Sequence, residues 1–191
     1  MVEDGLGRQL LAVARHAIAG ELALPVAAPE TDAAMEHPGA TFVTLVCGDR
    51  LRGCIGSLKA TRPLGVDVRE NALAAAFRDP RFAPLTAAEL GGTLIEVSLL
   101  SAPQIASFAS EAELRARLTP FEDGVALELG DRRATFLPQV WELLPEPREF
   151  LAALKEKAKL PADFWSPRLE VSLYRVTKWK ENELLSRQAA P

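Results

Sequence analysis

The sequence predicts an α+β fold, a mainly antiparallel sheet with flanking helices. Three observations predict it. Two β-rich runs are each interrupted by a Gly-Asp pair, Gly48-Asp49 and Gly130-Asp131, which spells two hairpins with two-residue turns. Strand-like runs outnumber the helical stretches that could serve as parallel crossovers. The 191 residues, 48% hydrophobic and 25% charged, suit a globular chain with a sizeable core.

Leu6, Leu10, Val13, Ala14 and Ala17 recur at three- and four-residue spacing, opposite Arg8, Gln9, Arg15 and His16, so the chain opens with an amphipathic helix. The stretch from Leu24 to Gly39 carries Pro25, Pro29 and Pro38 and reads as a long surface connection. Thr41 to Cys47, the Gly48-Asp49 turn and Arg50 to Gly56 make the first hairpin. Counting outward from the turn pairs Cys47 with Arg50, Leu45 with Arg52 and Val43 with Cys54. That register puts Arg50, Arg52 and Cys54 on one face with Val43 and Leu45. Leu51, Gly53 and Ile55 then share the other face with Phe42, Thr44 and Val46. Both faces of the first strand are largely apolar, so the ribbon is expected inside a sheet covered on both sides. Cys47 and Cys54 would lie roughly 13 Å apart along it, which predicts two free thiols.

Pro63 suits the first turn of a helix reaching about Arg78. Its narrow stripe of Leu64, Val68, Ala72, Ala75 and Ala76 would let it approach a sheet closely, and Asp79-Pro80 stops it. Thr86-x-x-Glu89 and Ser110-x-x-Glu113 read as capping boxes of short helices. Leu94 to Leu100 alternates as a strand, with Ile95, Val97 and Leu99 on one face and Glu96 and Ser98 on the other. The second hairpin, Gly124–Leu129 and Arg132–Leu137, sets Glu128 against Arg133 and is expected to form a smaller lobe around 120–145 of one domain spanning 1–191. Phe150, Leu151, Leu154 and Ala158 form a helical stripe between Pro147 and Lys159, with Glu149, Lys155, Glu156 and Lys159 facing water. A last strand from Leu169 to Trp179 precedes a polar tail, 181–191, expected to fray.

With 22 basic and 26 acidic residues the net charge is −4, which argues against nonspecific binding to nucleic acid or anionic membrane. No apolar run approaches the ~20 residues of a membrane span, and Met1-Val2-Glu3-Asp4 is acidic rather than a basic leader. A cytoplasmic location is expected. Cys47, Cys54, His16 and His37 form neither a Cys-x-x-Cys pair nor a His-Glu-x-x-His run, so no metal site is expected and no cofactor is indicated.

Cys54 is the sharpest candidate for chemistry. In the counted register Arg52 lies two residues away on the same face, and a cationic neighbour favours the thiolate, which is the reactive form. Gly53 and Gly56 would leave backbone open to close approach by a ligand. The competing reading makes Cys54 a small buried hydrophobe and the glycines packing contacts. Asp79-Pro80-Arg81-Phe82 is either a helix stop or a place where Asp79 or Arg81 points at a ligand. Glu96 and Ser98 either face solvent or line the same surface as Arg52. Pro138 should end the second hairpin's ladder, and Gln139 can offer a neutral donor and acceptor. Trp165 and Trp179 read as packing residues.

The run Leu51-Arg-Gly-Cys-Ile-Gly56, with Asp79-Pro-Arg-Phe82, Pro84-Leu85, Ile95-Glu-Val-Ser98 and Phe136-Leu-Pro-Gln-Val140 following in order, resembles the AMMECR domain family. It is most similar to the bacterial and archaeal branch called AmmeMemoRadiSam system protein A, over about Leu6 to Trp179. The resemblance implies a two-lobed α+β fold with a cleft between the lobes, an activity not yet assigned, and Memo-like and radical-SAM proteins as pathway partners. This chain has no Cys-x-x-x-Cys-x-x-Cys run and is not itself the radical enzyme. Where the family usually reads Lys-Ala-Gly-Leu, this chain has Lys157-Ala-Lys-Leu160, so Lys159 stands where a glycine would cap a helix.

Three function classes follow. One is an enzyme or enzyme subunit holding a small anionic ligand. Arg52 would bind its charge and Cys54 would act as nucleophile or contact. Gly53, Ile55 and Gly56 would shape the floor, with Asp79, Arg81, Glu96, Ser98 and Gln139 around it. The alternative is a noncatalytic adaptor or scaffold for the pathway partners. A third, an RNA-associated module, is disfavoured by the acidic balance.

Overall fold

The computed structural model describes residues 2–183. The chain divides into two compact units, Met1–Leu100 with Thr177–Pro191, and Ser101–Val176. The first unit holds α1 (Val2–Glu21), a 3-10 turn (Ala33–Glu36), β1 (Pro38–Cys47), β2 (Arg50–Gly56), β3 (Arg62–Pro63), α2 (Leu64–Phe77), α3 (Ala87–Leu90) and β4 (Thr93–Leu100). The second holds β5 (Gln104–Ala106), α4 (Glu111–Arg117), β6 (Asp123–Leu129), β7 (Arg132–Phe136), a 3-10 turn (Pro138–Glu142), α5 (Pro147–Lys157) and most of β8 (Glu170–Lys180), whose end from Thr177 belongs to the first unit. The α+β expectation is met, and the described strand pairs are all antiparallel.

In the first unit the strands run in the order β2-β1-β4, with the end of β8 beside β4. One face carries the core. Leu10, Ile18, Val43, Leu45, Val68, Ala72, Ala75, Ile95 and Val97 are all buried in a single cluster that α1 and α2 contribute to from above the strands. The small-residue stripe of α2 allows the predicted close approach, because a Cβ on Gly53 would lie 2.1 Å from the Ala75 carbonyl oxygen. Deep in the unit, the Asp67 carboxylate accepts from Thr41 N, Thr41 Oγ1, Asn71 Nδ2 and Arg62 Nε at 2.7–2.9 Å, so this buried charge is fully satisfied. The tail expected to fray begins differently. Glu181 takes an ion pair from Arg15 and accepts from Ile95 N at 2.8 Å, while Arg15 also donates to the Leu90 and Thr93 carbonyls. Residues 181–183 continue as a helical turn, and the rest of the expected tail, 184–191, lies outside the described residues.

Several expectations are corrected by packing. The Leu24–Gly39 connection contains the Ala33–Glu36 turn, which buries Met35, and β1 already begins at Pro38. The first hairpin turns at Gly48-Asp49 and pairs Cys47 with Arg50 as counted, but a β-bulge between Leu45 and Val46 shifts every pair beyond it. Leu45 faces Gly53, Thr44 faces Cys54, and Val43 faces Ile55. Leu51 is matched to Val46, so Arg52 is the extra residue. A one-residue insertion exchanges faces: Gly53 and Ile55 join the core side, and Cys54 joins Thr44 on the other. Cys47 and Cys54 therefore sit on opposite faces, and both are free thiols. Of the two hairpin strands, β1 lies inside the sheet and β2 is an edge strand.

In the second unit the order β8-β6-β7 packs against α5 around Leu114, Val125, Leu127, Trp141, Phe150, Leu151 and Leu154. Trp141 stacks on Phe150 with centroids 3.7 Å apart, and its indole N–H donates to the Asp123 carbonyl at 2.8 Å. The second hairpin keeps its counted register, Glu128 opposite Arg133. Thr86 and Glu89 make the predicted capping box, whereas Glu113 reaches past Ser110 to accept from Ala109 N at 2.8 Å. Lys155, expected in water, is 2% exposed and paired with Glu111 at 2.8 Å. It lies among Leu114, Leu127, Leu151, Trp165 and Leu169, because its aliphatic stem completes the apolar face of α5. Lys159 closes the helix in the left-handed conformation that glycine would favour, with φ at 60°. Among the described residues no helix is long and apolar enough to cross a membrane.

Candidate functional site

The β-bulge builds the arrangement around Cys54. Because the Thr44–Cys54 pair faces the non-core side, the thiol stands beside Thr44, whose hydroxyl donates to Sγ at 3.3 Å. Thr44 is in turn level with Glu96 on β4, and Phe42 is level with Ser98 and Gly56. Cys54, Thr44, Glu96 and Ser98 therefore share one face. Glu96 is held between Lys178 and Lys180, at 3.7 and 4.0 Å. Thr44, Lys178 and Lys180 are the residues that counting from the turn missed. The signal for Thr44 would have been a bulge, which no residue pattern in the hairpin announces.

Asp79 fixes the backbone of Cys54. The helix stop after α2 turns its carboxylate inward, where it is 1% exposed. One oxygen accepts from Cys54 N at 2.9 Å, and the other from Arg81 N and Arg81 Nε at 3.1 and 2.9 Å. Arg81 Nη2 bridges back, donating to Asp79 Oδ2 at 2.7 Å and to the Cys54 carbonyl at 3.1 Å. The Arg81 hydrogen bonds, with help from the Cys54 N–H and against the cost of burial, hold the Asp79 carboxyl well below the usual carboxylate range. The same pairing raises the Arg81 guanidinium, with smaller contributions from Cys54. Arg81 is 52% exposed, so the pair is a dipole whose positive end faces out; its hydrogen bonds run through N, Nε and Nη2, and the guanidinium carbon lies 5.5 Å from the Phe82 ring centroid.

Arg52, the expected cationic neighbour, is committed elsewhere. Its Nε and Nη2 donate to Glu89 at 2.9 and 3.3 Å, and Nη2 also reaches the Pro84 carbonyl at 3.4 Å. This pairing and the Thr86 capping bonds pull the Glu89 carboxyl down to about 2. Glu89 thus pairs the Arg52 charge, although Arg52 Nη1 is buried without a hydrogen-bond partner among the described residues, and the guanidinium that reaches Cys54 is that of Arg81. Gly53 and Gly56 do not open backbone to a ligand, since a Cβ on them would meet Ala75 O at 2.1 Å and the Phe42 ring at 2.2 Å. Ile55 packs on the core. Gln139 is exposed on the Pro138–Glu142 turn of the second unit, where Pro138 follows the end of β7. Trp179 is buried against Gly7. Among the described residues no three His, Cys, Asp or Glu side chains converge as a metal site would require.

A family model described as AMMECR1 matches residues 11–179. The chain belongs to the AMMECR1 family. A Methanothermobacter thermautotrophicus protein is 35% identical over 181 residues, covering 88% of this chain and 90% of its own. A Sulfolobus acidocaldarius protein is 36% identical over 168 residues, 84% of this chain and 74% of its own. A Methanocaldococcus jannaschii protein is 38% identical over 120 residues, 60% of this chain and 58% of its own. The crystal structure of an uncharacterized protein from Pyrococcus horikoshii superposes with a TM-score of 0.78 at 30% identity, over 92% of this chain and 91% of that one. The Pyrococcus horikoshii structure shares the α+β fold of this chain, and none of these names assigns an activity.

Proposed function

We propose that this AMMECR1 chain binds a small anionic ligand on the non-core face of the first unit, beside the Cys54 thiol. Arg81 supplies the charge and Thr44 and Ser98 supply polar contacts, while Lys178 and Lys180 offset the Glu96 carboxylate on the same face. The observation that carries the reading is the outward dipole of the buried Asp79 carboxylate and half-exposed Arg81, tied at both backbone groups to Cys54. A guanidinium held by two of its nitrogens loses little further side-chain entropy when the third meets an anion. Cys54 is then a ligand contact, in position to act as nucleophile if the ligand is an electrophile.

Matched alkylating reagents test this. Iodoacetate is anionic and iodoacetamide neutral, and both report only on the Cys54 thiol once Cys47 is changed to serine. Arg81→Ala should lower the iodoacetate-to-iodoacetamide rate ratio by roughly twofold to fivefold, the scale of one partly solvated charge. Added salt should shrink the wild-type preference. An unchanged ratio in Arg81→Ala refutes the site.

A further inference from the structure

The free edge of β2 poses a different question. An edge strand presents unpaired N–H and C=O groups, which template pairing with another chain. In an antiparallel ladder, residues alternate between pairs that exchange both backbone bonds and pairs whose backbone groups point away from each other. Ser57 N donates to Thr41 O at 2.8 Å, which marks that position as a bonded pair and makes Thr44–Cys54, three rows along, a pair whose backbone groups point away. The N–H and C=O of Cys54 therefore face outward, where a further strand would lie if the sheet continued past β2. They meet Asp79 Oδ2 and Arg81 Nη2 instead, at 2.9 and 3.1 Å.

One acceptor and one donor, themselves bonded at 2.7 Å, thus occupy the places that the C=O and N–H of one residue in a neighbouring strand would fill. The guarding continues along the edge. The bulge at Arg52 twists β2 away from a straight ladder, and the Arg52 side chain is drawn across to Glu89 and the Pro84 carbonyl. The segment from Asp79 to Glu89 overlays the edge with side chains rather than with backbone. Without it, Leu51, which is 44% exposed, and the uncharged run Gly53 to Gly56 would form an open edge.

We propose that the Asp79–Arg81 pair is a side-chain surrogate for a missing strand, and that it keeps β2 from pairing edge to edge with β2 of a second copy of this chain. The occupant it excludes is that second copy, because two identical edges can satisfy each other's outward groups about a two-fold axis. This reading is independent of ligand binding, since it concerns the backbone of Cys54 and not the thiol.

Sedimentation of the full-length wild type, Arg81→Ala and Asp79→Ala/Arg81→Ala tests it, with circular dichroism to establish folding and mass-spectrometric hydrogen exchange on β2 peptides. The double variant should self-associate at least roughly tenfold more tightly than wild type, with β2 amides regaining protection as concentration rises. Adding Leu51→Lys to the double variant should reverse the association. If the double variant fails to fold, Arg81→Ala alone, which frees the Cys54 carbonyl, should show the same trend. Folded variants with wild-type association overturn the proposal. So does a wild type already paired through β2, or association that leaves β2 exchange unchanged.

Discussion

Changing Asp79 to asparagine tests the keystone of the first unit. The carboxylate has four bonds in the structure, to Cys54 N, Arg81 N, Arg81 Nε and Arg81 Nη2, at 2.7–3.1 Å. All four partners are donors, while an amide offers one acceptor and one donor group. Either orientation of the substituted amide therefore sets an N–H against Cys54 or against Arg81. Hydrogen bonds to a charged acceptor contribute about 1.5–3 kcal/mol each, but those from half-exposed Arg81 are largely replaced by water. The net cost expected is about 2–3 kcal/mol, or a melting temperature lowered by roughly 5–10 °C.

The pH dependence gives a second handle. Arg81 depresses the folded-state pKa of Asp79 below its ordinary 3.8, so the stabilisation is present above that value and is lost as pH falls below it. The gap between wild type and Asp79→Asn should be constant from neutral pH to about pH 5, then close by up to about 1.4 kcal/mol per pH unit. Urea midpoints by circular dichroism, with hydrogen exchange of β2 peptides assigning the change to the first unit, measure both. An unaltered midpoint near neutral pH, or a penalty undiminished at about pH 3, would refute the reasoning.

Three further outcomes follow from packing. Gly53→Ala should cost roughly 2–4 kcal/mol by urea denaturation, because the new Cβ would sit 2.1 Å from the Ala75 carbonyl oxygen and β2 or α2 must move. Lys159→Gly should stabilise by about 0.5–1 kcal/mol, since φ at 60° costs a lysine what it does not cost a glycine; a loss in thermal melts would argue against that cap. Lys155→Met should leave stability within about 1 kcal/mol of wild type or raise it, whereas Glu111→Ala, which strands the ammonium among leucines, should cost about 3 kcal/mol.

Local rules were legible wherever the cause was local. The Gly48-Asp49 and Gly130-Asp131 turns, the Thr86–Glu89 box and the stop at Asp79-Pro80 each depend on a few adjacent residues, and each formed as read. The alternation of β4 holds from Thr93 to Val97, where burial has period two, and breaks beyond it, where Ser98 is buried and Leu99 half-buried. The five motifs in order also sufficed to place the chain in its family.

Tertiary structure decided the site. No propensity marks Arg52 as the extra residue of a bulge, which sets Gly53 on the core side with its bare Cα against the Ala75 carbonyl. That single slip moved Cys54 to the face of Thr44, and a partner 27 residues away, Arg81, became its cation instead of Arg52. Lys155 likewise followed the space beneath Trp165 rather than its charge. Turns, caps and periodicity are energies of neighbours along the chain and can be read from it; partners across space are settled by the packing of the whole unit, which meets most buried groups and leaves a few, such as Arg52 Nη1, unpaired among the described residues.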